Sequence, residues 1–298
     1  MSEATQEAAL APSLRHIIHN CPIDHEGNSV IIKGWLPLHE EGPSIIVLHD
    51  VGESAAGVEL FAESLARCGN RVYTYDMRGF SEREPRRGEE AHFEDLAKDL
   101  LQVVAWIKHK SHGEKPLIAG QGLGALLSLY FAKNYQKYCQ GLILVSPIIN
   151  LGDKVTPLKR FFIRFLAEII PNLKLPAQFC PAFNYYFSDS GRLIKKQQRM
   201  SARLTNQLLM IMAQFKKLFH RLKLPALLIC PDEDQLYKYE AIKRTLAKHP
   251  NKQLMTLVFV ETREHDLLSC SEEFIPYLVT TTAGWLKTLP APLETLHQ

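Results

Sequence analysis

The chain has no apolar run long enough to cross a bilayer. Its longest hydrophobic segments are broken by charges, whereas a spanning helix needs about 20 mostly apolar residues. The opening residues, MSEATQEAALAPS, lack the basic start and apolar stretch of a secretory leader. A cytoplasmic location is therefore expected. No two cysteines stand at metal-ligand or redox spacing: Cys21, Cys68, Cys139, Cys180, Cys230 and Cys270 are scattered. Several sit in apolar surroundings and read as small core residues in a reducing compartment. His16 and His19 have no accompanying carboxylate or cysteine cluster. They are expected as polar positions on an early strand or turn, so neither a metal nor another cofactor is anticipated. There is also no internal repeat, no low-complexity tract and no basic groove motif interleaved with aromatics. Nucleic acid is not an expected partner.

What is present is an ordinary globular composition, 46% hydrophobic and 22% charged over 298 residues. The charge is unevenly placed. Residues 151–223 hold 14 Lys or Arg against 3 Asp or Glu, and the remainder holds 21 against 29. Short apolar, β-rich runs recur at Ser44–Leu48, Arg71–Tyr75, Pro116–Ala119, Gly141–Val145, Ala226–Cys230 and Met255–Val260. Segments with helical spacing lie between them, at Gly57–Cys68, His92–Lys108, Gly122–Tyr135 and Tyr239–Lys248. This alternation predicts a mostly parallel sheet covered on both faces. Runs around Leu14–Ile18 and Ser29–Trp35, with a turn at Gly27 and Asn28, predict a leading antiparallel hairpin. The alternation stops at Ile149 and resumes at Leu224. The intervening helix-like pieces, punctuated by Pro157, Pro171, Pro176 and Pro181, read as an insertion over the sheet. The expected organisation is a tail over 1–13, a core over 14–148 and 224–289, a basic helical cap over 149–223, and a tail over 290–298.

One short stretch carries the chemistry. Gly120, Gln121, Gly122, Leu123, Gly124 and Ala125 open a helix directly after an apolar strand. The spacing matches the dinucleotide fingerprint, which needs the first strand of a βαβ unit and an acidic residue roughly 20 positions on. Here several strands precede the turn, and the next one ends in Ser146 and Pro147. A P-loop is excluded too, because no Lys-Ser/Thr follows the glycines. The other reading is a nucleophile elbow, G-x-S-x-G, in which Gly120 and Gly124 let strand and helix approach closely. That reading requires an acid and then a histidine downstream. Asp234 follows the strand ending at Cys230, and His265 follows the strand ending at Val260. Upstream, His49, Asp50, Val51, Gly52 and Glu53 end an earlier strand, where a backbone N–H of an oxyanion hole belongs.

These residues resemble the α/β-hydrolase superfamily, in particular its monoacylglycerol lipase and lysophospholipase-like serine hydrolases. The family's HGxGE loop is matched by His49–Glu53, and its D-x-R-G-x-G-x-S segment by Asp76, Arg78, Gly79, Phe80 and Ser81. The inserted region resembles the family's cap at Pro171–Leu175 and Tyr186–Asp189. The similarity runs from about Ser29 to Leu286. It implies an α/β-hydrolase fold with an inserted helical cap, Asp234 as acid and His265 as base. It also implies an oxyanion hole from the N–H groups of Val51 and Leu123, and a lipid or acyl-ester ligand. Three departures fall on the site. Gly122 stands at the nucleophile position, Asp50 replaces a loop glycine, and Cys230-Pro231 precedes the acid. Without an Oγ at residue 122 no acyl-enzyme forms. Loss of a triad nucleophile typically costs ~10⁶ in turnover. An Asp50 carboxylate near the hole would oppose a developing oxyanion.

The expectation is therefore a carboxylic-ester hydrolase fold with lost or severely reduced activity and a retained lipid-binding or interaction role. The alternative is an atypical esterase in which His265 and Asp234 activate water, or in which Ser54, Ser81, Ser128, Ser269 or Cys230 serves as a relocated nucleophile. In the insertion, Leu158, Phe161, Phe162, Phe165, Leu166, Ile169 and Ile170 share one helical side, and Lys159, Arg160 and Arg164 leave it. One reading packs that side over the pocket mouth. The other makes it an interfacial helix on anionic lipid, joined by the second basic cluster at Lys195, Lys196 and Arg199–Arg203.

Overall fold

The computed structural model describes residues 13–39, 42–80, 92–148, 155–176, 200–234, 239–269 and 272–290. Ser81, Cys180, Tyr186–Asp189, Lys195, Lys196, Arg199 and Cys270, with most of the two expected tails, lie outside them. Ten strands are described: β1 (Leu14–Pro22), β2 (Ser29–Pro37), β3 (Ser44–Leu48), β4 (Arg71–Tyr75), β5 (Leu117–Gln121), β6 (Gly141–Val145), β7 (Lys174–Leu175), β8 (Met200–Ser201), β9 (Ala226–Pro231) and β10 (Met255–Val260). The α-helices are α1 (Glu59–Arg67), α2 (Phe93–Lys110), α3 (Leu123–Tyr135), α4 (Pro157–Ile169), α5 (Ala202–His220), α6 (Tyr239–Ala247) and α7 (Ile275–Leu286).

Eight strands form one sheet in the order β1-β2-β4-β3-β5-β6-β9-β10, and β7 pairs with β8 apart from it. The first two strands are an antiparallel hairpin, joined antiparallel to β4, and every later pairing in the large sheet is parallel. The hairpin is longer than its apolar core suggested, because both strands continue through alternating exposed positions. Its loop is fixed by Asp24, whose carboxylate accepts the backbone N–H groups of Glu26 and Asn28.

Strand side chains alternate between faces. Ile45 and Val47 of β3 join one core cluster, with Phe61 and Leu65 of α1 and Leu278 and Trp285 of α7. Ile46 and Leu48 join the other, with residues of α2, α3 and α5. All five residues of β3, β5 and β6 are buried. Both faces of the sheet are thus covered, which explains why these strands read as unbroken apolar runs. Helix α3 is buried from Leu123 to Leu129 without a polar face. It lies between the sheet and α5, the long helix that follows β8. His16 and His19 pack against tryptophans: His19 stacks on Trp106 at 4.5 Å, and His16 meets Trp35 edge-on. Of the described cysteines, Cys21, Cys139 and Cys230 are buried and Cys68 is exposed.

Helix α4 begins at a Thr156 cap and Pro157, as its sequence requires. Its apolar side does not pack inward. Ile163 alone is buried, whereas Leu158, Phe161, Phe162, Phe165, Ile169 and Ile170 are each about half exposed or more. The helix touches α5 through the opposite side from the one the hydrophobic spacing favours.

Candidate active site

The parallel strands deliver their C-terminal ends to one edge, where open α/β sheets gather functional groups. His49 and Asp50 follow β3, Gly122 follows β5, Asp234 follows β9, and His265 follows β10. All except Gly122 carry side chains, and all of those are buried.

The β5–α3 junction is an elbow. Strand β5 runs through Gly120 and Gln121, two residues beyond its expected end. The chain then reverses at Gly122, with φ +51° and ψ −107°. Glycine adopts this region at no steric cost, while other residues are strained there. The flanking glycines are required by contact. A Cβ on Gly120 would lie 2.3 Å from the Gly124 carbonyl carbon, and one on Gly124 would lie 2.5 Å from the Leu48 carbonyl oxygen.

A Cβ on Gly122 would meet the Asp50 carboxylate, at 2.2 Å from Oδ1 and 2.3 Å from Oδ2. The Asp50 side chain therefore occupies the space into which the elbow residue would project. Its Oδ1 accepts two backbone N–H groups, from Val51 at 2.6 Å and from Leu123 at 2.7 Å. These are the two donors expected to form the oxyanion hole. They converge on one point, and Asp50 fills it.

The loop carrying Asp50 is held from within. His49 donates from Nδ1 to the Asp50 carbonyl at 2.8 Å and accepts the Met77 N–H at Nε2, 3.0 Å away. Those two bonds require the neutral imidazole with its proton on Nδ1. The Asp50 N–H donates to Glu53 Oε2, and the Glu53 N–H returns to the Asp50 carbonyl. The Asp-x-Arg-Gly segment serves the same scaffold. Asp76 accepts the Ala55 N–H at 2.7 Å, and Arg78 bridges Asp99 and Asp24.

His265 Nδ1 is 2.7 Å from Asp234 Oδ2, so the acid and the base are joined. Two further residues shape the His265 loop, and reading the motifs alone missed both. Gln121 accepts the N–H groups of Leu267 and Leu268 at 2.9 and 2.8 Å, and its amide donates to Asp266. Ser269 donates to Glu53 at 2.6 Å and also bonds Asp266. Elbow, oxyanion loop and histidine loop are thereby one network. Asp266 is adjacent to His265 in sequence, and that adjacency was the available signal.

The electrostatics follow from burial. Desolvation raises the Asp50 carboxyl to about 6, against the opposing pull of His265 and of the N–H groups of Leu123 and Val51. Burial alone would lower the His265 imidazole. The charge and hydrogen bond of Asp234, with the charges of Asp50 and Asp266, outweigh it and hold the imidazole above its usual value.

The alternative nucleophiles are differently placed. Ser128 is buried within α3 and bonds the Gly124 carbonyl at 2.7 Å. Ser269 is engaged with Glu53 and Asp266. Ser54 precedes a short 3₁₀ turn at Ala55–Val58. Cys230 is buried inside β9, paired with Phe259 of β10.

Comparison with known proteins agrees with this architecture. Residues 40–272 match the family described as serine aminopeptidase, S33. The monoglyceride lipase of Rattus norvegicus is 26% identical over 155 residues, 51% of each chain. The monoacylglycerol lipase of Mycolicibacterium smegmatis is 21% identical over 150 residues, 49% of this chain and 52% of that one. The chain thus spans about half the length of the curated relatives it matches. In fold it is similar to the Paleococcus ferrophilus monoacylglycerol lipase, at TM-score 0.68 and 20% identity, covering 92% of this chain and 98% of that one. It is likewise similar to a soluble variant of the Saccharomyces cerevisiae monoglyceride lipase, at TM-score 0.71 and 16% identity, covering 93% and 95%. With the sheet order, the elbow and the family match in hand, the chain belongs to the serine aminopeptidase S33 family of α/β hydrolases and resembles its monoacylglycerol lipase-like members.

Proposed function

We propose that this chain keeps the scaffold of a lipid esterase and has lost, or nearly lost, hydrolysis by an elbow nucleophile. Its remaining role is to bind a lipid or acyl-ester ligand. The carrying observation is the Asp50 carboxylate, which takes both oxyanion-hole N–H groups and fills the space beside Gly122. A substrate carbonyl finds neither an Oγ to attack it nor a free hole to stabilise its oxyanion. Together these supply most of the rate in such enzymes. The names of the similar lipases support the lipid class of ligand.

In this reading residues 149–223 are a cap on the 14–148 and 224–289 core, and α4 meets a membrane surface peripherally. Its exposed Leu, Phe and Ile side chains are interleaved with Lys159, Arg160 and Arg164. A helix of that composition inserts its apolar side below anionic headgroups. Flotation with phosphatidylglycerol vesicles is expected to carry the protein upward, and phosphatidylcholine alone to carry much less. Equal binding to both removes the electrostatic part.

A slow esterase remains the second reading, because the His265–Asp234 pair is intact at 2.7 Å. General-base activation of water contributes about 10²–10⁴. Purified protein is expected to show near-background turnover of p-nitrophenyl esters and of lysophospholipid, and no fluorophosphonate labelling. Robust ester turnover that vanishes in His265→Ala would establish the second reading instead.

A further inference from the structure

The site that cannot open an ester still contains a carboxylate in the nucleophile's place. We infer that Asp50 is itself a nucleophile, directed at the saturated carbon of a lipid epoxide. The lipid part of this inference rests on the function proposed above; the choice of epoxide rests on the geometry of Asp50.

Carboxylates are established covalent nucleophiles when a base stands ready to resolve the intermediate. Here one oxygen, Oδ1, is fixed by the Val51 and Leu123 N–H groups. The other, Oδ2, lies 2.3 Å from where a Gly122 Cβ would be, in the elbow's own side-chain space. The His265–Asp234 pair serves the same buried cluster, and the His265 and Asp50 charges interact.

The occupied hole decides the electrophile. Attack on an ester carbonyl needs an empty hole for the substrate's oxyanion, and Asp50 has taken it. Attack on a saturated carbon creates no oxyanion and needs no hole. The hole is needed only afterwards, when the enzyme's own ester is hydrolysed. That oxyanion forms on Asp50 Oδ1, already between the two N–H groups.

The steps balance. Asp50 Oδ2 attacks a ring carbon, the carbon–oxygen bond of the epoxide breaks, and the oxygen takes the proton from His265 Nε2. An alkyl ester on Asp50 and a neutral His265 result. His265 then takes a proton from water, and the hydroxide adds to Asp50 Cγ. Collapse of the tetrahedral intermediate breaks the Cγ–O bond to the alkyl group, whose oxygen takes the His265 proton. The diol leaves, and Asp50 returns its proton to His265. The sum is epoxide plus water giving a vicinal diol. A raised imidazole supplies the first proton, and His265 is raised by the carboxylates around it.

The test uses 1,2-epoxydodecane with the full chain in ¹⁸O-water. Diol formation is expected, and with repeated turnover Asp50 gains ¹⁸O, located by peptide mass spectrometry. In His265→Gln the alkyl ester is expected to persist as one epoxide mass on the peptide carrying Asp50, and in Asp50→Asn both signals disappear. Absence of diol and adduct overturns the inference, as does diol formation without ¹⁸O in Asp50 or an adduct elsewhere. The ¹⁸O readout needs no variant, so a misfolded mutant does not decide it. Epoxide inertness combined with absent fluorophosphonate labelling would overturn this inference and leave the loss of ester hydrolysis standing.

Discussion

Gly122 and Asp50 fit each other at the level of single side chains: one lacks the atoms that the other's position would exclude. Gly122→Ser alone is therefore expected to force the Asp50 carboxylate out or to destabilise the fold, since overpacking costs about 1–3 kcal/mol. Thermal melting of that variant checks this, and an unchanged melting temperature with Asp50 still seated would contradict it. The Asp50 carboxyl, raised from 3.8 to about 6, also makes a pH prediction. A raised acid contributes its stability below the unfolded value and loses it as pH climbs through the folded value. Asp50→Asn cannot ionise and keeps an acceptor oxygen for Val51 and Leu123. Its stability relative to the parent is expected to improve between pH 4 and 6 and to level off above. The gain is at most about 3 kcal/mol, at about 1.4 kcal/mol per unit. Urea unfolding across that range reads it, with the His265 and Asp266 charges common to both proteins. A flat difference would mean that Asp50 is already solvated.

Among the secondary elements, the β5–α3 junction tolerates the least change. Gly120→Ala is expected to cost about 2–3 kcal/mol in urea unfolding, because its Cβ would meet backbone and not a movable side chain. The glycine spacing made this junction legible in the sequence, and so did the acid and the histidine at later strand ends. The occupant of the oxyanion hole was not legible. Asp50 was readable as a charge near the hole, but its Oδ1 bonds depend on loop geometry that spacing does not encode. Helix α4 shows the opposite limit. Its amphipathic period was legible, but which side packs depends on the partner helix, and Ile163 was not on the side the pattern favoured. Because Phe161 and Phe165 are exposed, Phe161→Ser/Phe165→Ser is expected to change stability by no more than about 0.5 kcal/mol. The same pair is expected to weaken flotation on anionic vesicles several-fold. A large stability loss instead would mean that α4 packs its apolar side.

For the whole molecule, the sheet order and its parallel pairings were legible because buried central strands are unbroken apolar runs and the hairpin strands alternate. The sheet places Asp50, Gly122, Asp234 and His265 on one edge whatever chemistry they perform, so fold and activity are separate questions here. The account's central claim is that the hydrolytic site is assembled but closed by Asp50 at an elbow without a hydroxyl. Fluorophosphonate labelling of Asp50→Gly/Gly122→Ser, beside the native chain and Gly122→Ser alone, tests it most directly. The expected result is an adduct at position 122 in the double variant and none in the other two. An adduct on the native chain, or a double variant that melts like the parent and stays unlabelled, would contradict it.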